Sequence, residues 1–249
     1  EDTSVRADYH LGYIDNAEHV NNYTWHTLTV NWRREKQAIC VGLRYLDMGK
    51  LEQNVDEDMN QMPENAKRMH STSFDMGYAL RLNRVLSVYA TAALMTERIL
   101  LTTNGCALNT GAAYSTHWHN MACTAALGVR DVGFYSYQNI TKMLTPLIYI
   151  GGNISLPTWG DQKLTVAAGG GAYVGNGHVR SSGTLSLGAA YSVCRYLSLR
   201  MGAHWGDEDN YVAYGLGARF GKIAVEAAMK SPVTANVGKI FMVGVGVGI

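Results

Sequence analysis

Histidine is the residue type in this chain best suited to bind a metal or to move protons near neutral pH. The eight histidines are scattered, at positions 10, 19, 26, 70, 117, 119, 178 and 204. Only His117 and His119 lie close together, and no third ligand is within reach in the sequence. Zinc is usually held by three or four ligands, so we expect no metal site. The chain also contains no GxSxG, HExxH or P-loop motif, which predicts neither an enzyme nor a cofactor-binding protein.

Five ionisable residues occupy alternate positions of strand-like segments, where they would face the interior of a closed sheet. These lumen-facing candidates are Arg44, Asp75, Arg200, His204 and Glu226. Two interpretations remain open. The residues could orient a polar solute or a plug, or they could form a network of paired charges, which is the interpretation that we favour.

A second group of charges is acidic and lies between strand-like segments, within residues 48–69. These partner-loop candidates are Glu52, Asp56, Glu57, Asp58 and Glu64. The segment could dock a protein partner or fold into the interior, and a solvated loop is the ordinary alternative.

The elements that would position these residues are strands with strict alternation. The last nine residues read FMVGVGVGI, which puts Val243 and Val245 on one face and Gly244 and Gly246 on the other. A soluble sheet would normally show one polar face to water. Similar alternation occurs in fourteen segments, near residues 7–14, 23–32, 37–47, 70–81, 86–97, 105–116, 119–129, 143–156, 162–174, 180–193, 195–206, 210–220, 222–230 and 239–249.

Most of these segments are about as long as a strand that crosses a bilayer at a tilt, roughly 9–11 residues. In the tenth, eleventh, thirteenth and fourteenth segments no charged residue lies on the apolar face. The sequence therefore predicts one all-β domain over residues 1–249, a 14-stranded antiparallel transmembrane β-barrel.

The connections between the segments alternate in length. Tight turns are predicted after even-numbered strands, around Arg34, Asn83, His117, Cys194 and Gly221, and longer connections follow odd-numbered strands. In outer-membrane barrels the short turns and both termini are periplasmic. We therefore expect a location in the cell outer membrane of a Gram-negative bacterium, in contact with its lipid and lipopolysaccharide. Aromatic residues near strand ends would form the interfacial girdles, namely Trp32, Tyr114, Trp159, Trp205, Phe220 and Phe241.

Composition agrees with this prediction. The formal net charge is +1 and charged residues make up 16%, so bulk charge gives no indication of nucleic-acid binding. Several glycines fall on the inward parity, which is compatible with segments folded in against the wall. They are Gly42, Gly77, Gly111, Gly169, Gly202, Gly244 and Gly246.

Five segments resemble motifs of a known family. They are CVGLRYLDMGKL at 40–51, SFDMGYALRL at 73–82, CALNTGAAY at 106–114, AALGVRDVG at 125–133 and TPLIYIGGNISL at 145–156. In order and spacing they are similar to the PorV/PorQ family of Bacteroidota outer-membrane barrels, which are related to the fatty-acid transporter FadL. Asn109 stands where that family usually has Asp, and Asp131 where it usually has Asn.

The resemblance implies a non-enzymatic subunit of the type IX secretion system. Such a protein would act in protein secretion and surface attachment through other outer-membrane or secretion-complex proteins. Two alternatives remain. One is a FadL-like channel for hydrophobic small molecules, and the other is a structural accessory barrel of a larger outer-membrane complex, such as one for barrel assembly.

Overall fold

The computed structural model is a closed antiparallel β-barrel. It describes residues 3–15, 23–50, 68–99, 101–138, 140–175, 180–207, 209–233 and 238–248. The strands are β1 (Thr3–Asp15), β2 (Tyr23–Arg34), β3 (Gln37–Lys50), β4 (Arg68–Arg81), β5 (Leu86–Arg98), β6 (Thr102–Trp118), β7 (Met121–Tyr137), β8 (Ile140–Met143), β9 (Leu147–Pro157), β10 (Lys163–Tyr173), β11 (Ser182–Ser192), β12 (Leu197–Trp205), β13 (Tyr211–Phe220), β14 (Ile223–Pro232) and β15 (Lys239–Gly248). Among these residues no helix is long and apolar enough to span a membrane.

Fourteen of the strands close the barrel, which confirms the predicted fold. Each pairs with its neighbours in the chain, β7 pairs directly with β9, and β15 closes the ring against β1. The short β8 lies outside this ring and pairs only with the end of β7, from Phe134 to Tyr137. The predicted eighth strand, 143–156, is wrong at its start. Pro146 has no N–H for the ladder, so the chain breaks there and β9 begins at Leu147.

The alternation of side chains follows the prediction most closely in β15. Val245 lies between Tyr9 of β1 and Val225 of β14, and all three point outward. Val243 exposes 53% of its surface and Leu187 of β11 exposes 47%, although both are apolar. A wall this apolar on its outside is stable where hydrocarbon rather than water surrounds it.

The outward face of β1–β4 also carries a row of polar aromatic rings, which we name the outer ring row. It consists of Tyr9, His26, Tyr45 and His70, with successive ring centroids 6.2, 6.2 and 6.1 Å apart. The Tyr9 hydroxyl lies 2.7 Å from His26 Nδ1. Polar aromatic rings of this kind suit the boundary between hydrocarbon and headgroups.

The two ends of the barrel differ in their connections. One end, which we call the short-turn end, holds the start of β1, the end of β15 and the tight turns. The turn between β2 and β3 is Glu35–Lys36 and that between β6 and β7 is His119–Asn120, one or two residues later than predicted. At the opposite end, residues 99–101 join β5 to β6, so one connection there is short, against the predicted trend.

Candidate functional site

The barrel interior is the candidate site, and all five predicted lumen-facing residues point into it. Arg44 of β3 and Asp75 of β4 form a two-pronged ion pair, with Arg44 Nη2 2.7 Å from Asp75 Oδ1 and Arg44 Nε 2.9 Å from Asp75 Oδ2. His204 Nδ1 lies 2.7 Å from Ser186 Oγ, and its ring stacks on Tyr211 at 5.0 Å. These three contacts join neighbouring strands rather than opposite walls.

Arg200 and Glu226 are joined across an intervening strand. Arg200 of β12 donates to Glu226 of β14 at 3.1 and 3.2 Å, although β13 lies between them. The contact is possible because β13 carries glycine at both crossing positions. A Cβ on Gly217 would stand 2.7 Å from Ser198 Oγ and 3.5 Å from Arg200 Nη2, and one on Gly215 would stand 3.6 Å from Arg200 Cβ.

Three interior residues of β1 were not among the predicted candidates. Arg6 pairs with Asp8 at 2.7 Å, and Asp8 is buried. His10 lies against Gly244 of β15, and its Nδ1 is buried without a hydrogen-bond partner in the described part of the chain. Tyr9 and Leu11 of β1 point outward, and alternate residues of a strand point to opposite faces. The sequence could therefore have predicted that Arg6, Asp8 and His10 point inward.

Neighbouring side chains cover several of the inward glycines, whereas Gly169 and Gly202 meet only backbone atoms of adjacent strands. Whether segments also fold in against them stays a prediction. Trp25 lies over Gly12, His10 over Gly244 and Asp8 over Gly246. On the other side of the barrel Tyr89 covers Gly111, so that a Cβ there would meet Tyr89 Oη at 2.5 Å. Side chains that lie flat on glycine widen the interior, because they do not project across it.

A bulge in β7 brings together two residues of the family-like motifs. The register between β6 and β7 shifts between Leu108 and Thr110, and Asp131 takes a positive φ of 60°. Asn109 Oδ1 accepts the Asp131 N–H at 2.7 Å, while Asn109 Nδ2 donates to Thr91 Oγ1 at 2.9 Å. Asn109 therefore ties β5, β6 and the bulge together, which places consecutive residues of β7 beside the lumen.

Next to this bulge residues of β1–β7 line an open pocket of about 630 Å³, which we name the lumen pocket. Its lining combines apolar and polar side chains. The apolar residues include Ile14, Trp25, Leu46, Ala93, Met95 and Ala107, and the polar ones include Thr27, Arg44, Ser71, Ser73, Asn109, Arg130 and Asp131.

Charge is unevenly distributed around the interior. The wall from β12 through β1 to β4 carries the ion pairs Arg200–Glu226, Arg6–Asp8 and Arg44–Asp75. Along β9–β11, by contrast, Lys163 is the only charged residue of the inward parity. The barrel interior is therefore charged on one side and almost uncharged along β9–β11.

The remaining predictions concern the acidic loop, a metal site and the aromatic girdles. The partner-loop candidates Glu52, Asp56, Glu57, Asp58 and Glu64 lie outside the described residues. No group of three or more potential metal ligands occurs within the described ranges. The six predicted girdle aromatics are described: Trp159 lies in a turn and is 87% exposed, and the others lie on outward-facing strand positions.

No protein-family model and no curated protein sequence matches the chain. Solved structures do match over almost its full length. The toluene transporter TodX of P. putida matches at 9% identity and a TM-score of 0.59, covering 100% of this chain and 89% of TodX. The toluene transporter TbuX of Ralstonia pickettii matches at 11% identity and a TM-score of 0.58, over 99% of this chain and 88% of TbuX.

The outer membrane protein Omp33 of Acinetobacter baumannii matches at 11% identity and a TM-score of 0.56, over 98% of this chain and 96% of Omp33. These matches and the closed sheet define the class of the fold as an all-β, closed 14-stranded antiparallel barrel that resembles outer-membrane channels. The prediction of a 14-stranded antiparallel barrel is thereby confirmed, and the finer PorV/PorQ assignment stays a prediction.

Proposed function

We propose that this chain is a channel in the outer membrane of a Gram-negative bacterium for small, largely hydrophobic molecules. The observation that carries the proposal is the mixed apolar and polar lumen pocket inside a closed 14-stranded barrel. We propose that the short-turn end and the termini lie on the periplasmic side of the membrane, as is usual for such barrels.

The size of the lumen pocket supports a small-molecule solute. Its volume of about 630 Å³ falls within the range of roughly 300–1,000 Å³ that is common for small-molecule sites. Trp25, Leu46 and Met95 supply apolar surface, and Arg44 and Asn109 supply fixed polar groups at its edge. A molecule with a hydrophobic body and at most a few polar atoms matches such a lining.

The fold comparisons give independent support for the solute class. Two of the similar barrels, TodX and TbuX, are toluene transporters. Lipopolysaccharide resists the passage of hydrophobic molecules. A channel with a partly apolar lumen would let them cross the outer membrane, which an open polar pore does not.

The experiment measures the initial uptake of labelled toluene by Gram-negative cells that produce the chain. Ser71→Trp places an indole in the lumen pocket, whereas Thr72→Trp places the same group on the outward face of the same strand. We expect the wild type and Thr72→Trp to accelerate uptake equally, and Ser71→Trp to return it to background. Equal rates in the two tryptophan variants, or no acceleration by folded wild-type protein, would contradict the proposal.

A second candidate is the type IX secretion subunit implied by the PorV/PorQ resemblance. One observation favours it: Asn109 and Asp131, from two of the motifs, form a single contact at the bulge. This candidate predicts stoichiometric outer-membrane partners when the protein is purified in mild detergent. Purification of the chain alone, together with Ser71-sensitive uptake, would exclude it in favour of the channel.

A further inference from the structure

The short-turn end of the barrel is strongly basic. Its described turns and adjoining strand ends carry nine arginines and lysines against two acidic residues, Glu35 and Asp161. The basic residues are Arg33, Arg34, Lys36, Arg81, Arg84, Lys163, Arg195, Arg219 and Lys222. Because the whole chain has a formal net charge of only +1, this excess is a property of one end of the barrel.

Arg219 is one of the basic residues of this mouth without a partner in the described part of the chain. It points inward from β13, directly opposite Ala224 of β14, which in turn pairs with Gly246 of β15. Two adjoining pockets share Arg219 and Ala224 in their linings. One of about 290 Å³ extends toward Arg195 and Arg200, and the other of about 380 Å³ extends toward Arg6 and Lys222.

The acidic groups near these pockets are already paired. Asp8 binds Arg6 at 2.7 Å, Glu226 binds Arg200 at 3.1 Å, and Asp161 binds Arg195 at 2.8 Å. The side chains of Arg219 and Lys222 have no hydrogen bond or ion pair within the described part of the chain. They leave an uncompensated positive charge at a concave mouth, where low-dielectric walls concentrate the field.

The wall between the two cations is built from small residues. It consists of Ala224, Gly246 and Gly248. The side chain of Asp8 covers Gly246, and the N–H of Gly248 donates to the Lys222 carbonyl at 2.8 Å. Arg219 can present two parallel N–H groups to a carboxylate, which is the geometry that makes arginine the usual residue for this ligand. The adjoining Ala224 and Gly248 leave space for an apolar group next to that carboxylate.

We propose that this mouth contains a binding site for the carboxylate of an amphipathic solute, centred on Arg219 with Lys222 beside it. The inference rests on the proposed channel function and adds hydrophobic molecules with one anionic group to its solutes. The unpaired cations would draw such a solute from the lumen pocket toward the short-turn end.

The test is isothermal titration of the full-length chain in nonionic detergent with benzoate and with benzamide, which has a similar shape but no charge. We expect benzoate to bind more tightly than benzamide. Arg219→Gln should weaken benzoate binding by about three- to tenfold, as expected for loss of a partly exposed charged hydrogen bond. The double variant Arg219→Gln/Lys222→Gln should bind the two molecules equally.

Arg98→Gln is the matched control, because it removes the same charge from an exposed, outward-facing position at the opposite end. It should leave the preference for benzoate unchanged. Equal binding of benzoate and benzamide by the wild type, binding of neither, or an equal effect of Arg98→Gln and Arg219→Gln would overturn the inference. Toluene uptake without a benzoate preference would refute only this inference, and a benzoate preference without uptake would refute only the channel.

Discussion

The contact between Gly12 and Trp25 makes a quantitative prediction about the barrel wall. The two residues are direct cross-strand partners on β1 and β2, and both face the lumen. A Cβ at position 12 would overlap Cδ2, Cε2 and Cζ2 of the indole. Gly12→Ala must therefore lift the ring off the wall and into the lumen pocket that Trp25 lines.

The size of the effect follows from this overlap. Carbon atoms make normal contacts at roughly 3.5–4.0 Å, so the indole must move by more than about 1 Å. Overpacking of this kind costs about 1–3 kcal/mol of unfolding free energy. Replacing glycine by alanine in a strand interior by itself raises the free energy of unfolding by about 0.5–1 kcal/mol. A control variant is needed to separate this gain from the cost of overpacking.

Gly188→Ala is that control. Gly188 is also an inward-facing strand glycine, but its Cβ would meet only the Met201 carbonyl oxygen, at an ordinary 3.5 Å. Urea unfolding followed by far-ultraviolet circular dichroism should show Gly12→Ala to be less stable than Gly188→Ala. In a Trp25→Leu background the penalty of Gly12→Ala should disappear. Equal stabilities of the two alanine variants, or a penalty that persists without the indole, would refute the packing argument.

Two further predictions concern interior contacts. Asn109→Leu leaves the Asp131 N–H without its acceptor and should lower the free energy of unfolding in urea by about 1–3 kcal/mol. Asn109→Asp keeps an acceptor oxygen and should lower it by less. Equal losses would show that the hydrogen bond does not hold the bulge. Gly217→Val should block the contact between Arg200 and Glu226. The coupling energy of that pair, measured by a double-mutant cycle, should therefore fall from about 0.5–1 kcal/mol to near zero. Coupling that survives in the valine variant would mean that the pair does not cross β13 at this point.

The fold could be predicted from sequence because its signal repeats in every strand. Every strand of a closed barrel has one face on the outside, so segments such as 197–205 and 239–248 show the same alternation with a period of two. The errors occur where local backbone chemistry interrupts the ladder. Pro146 divides the predicted eighth strand, and the positive φ of Asp131 creates a bulge that parity alone does not reveal.

The interior could be predicted only in part, for a geometric reason. Parity assigns a side chain to the inner or outer face, and it placed Arg44, Asp75 and Arg200 inside. Which inward residues meet depends on the register between strands and on what the intervening strand carries. The Arg200–Glu226 pair depends on Gly217, which is distant from both in sequence.

The inward glycines show how closely wall and lumen are linked in this barrel. Each covered glycine accepts a large neighbour, as Gly12 accepts Trp25 and Gly244 accepts His10. These side chains then lie along the wall instead of crossing the interior, so the position of the glycines determines where the lumen is wide. The lumen pocket borders Gly12 and Trp25, and the Arg219 mouth borders the uncovered wall at Gly248. A glycine substitution on the inward face is therefore expected to alter the shape of the lumen even where it leaves the fold intact.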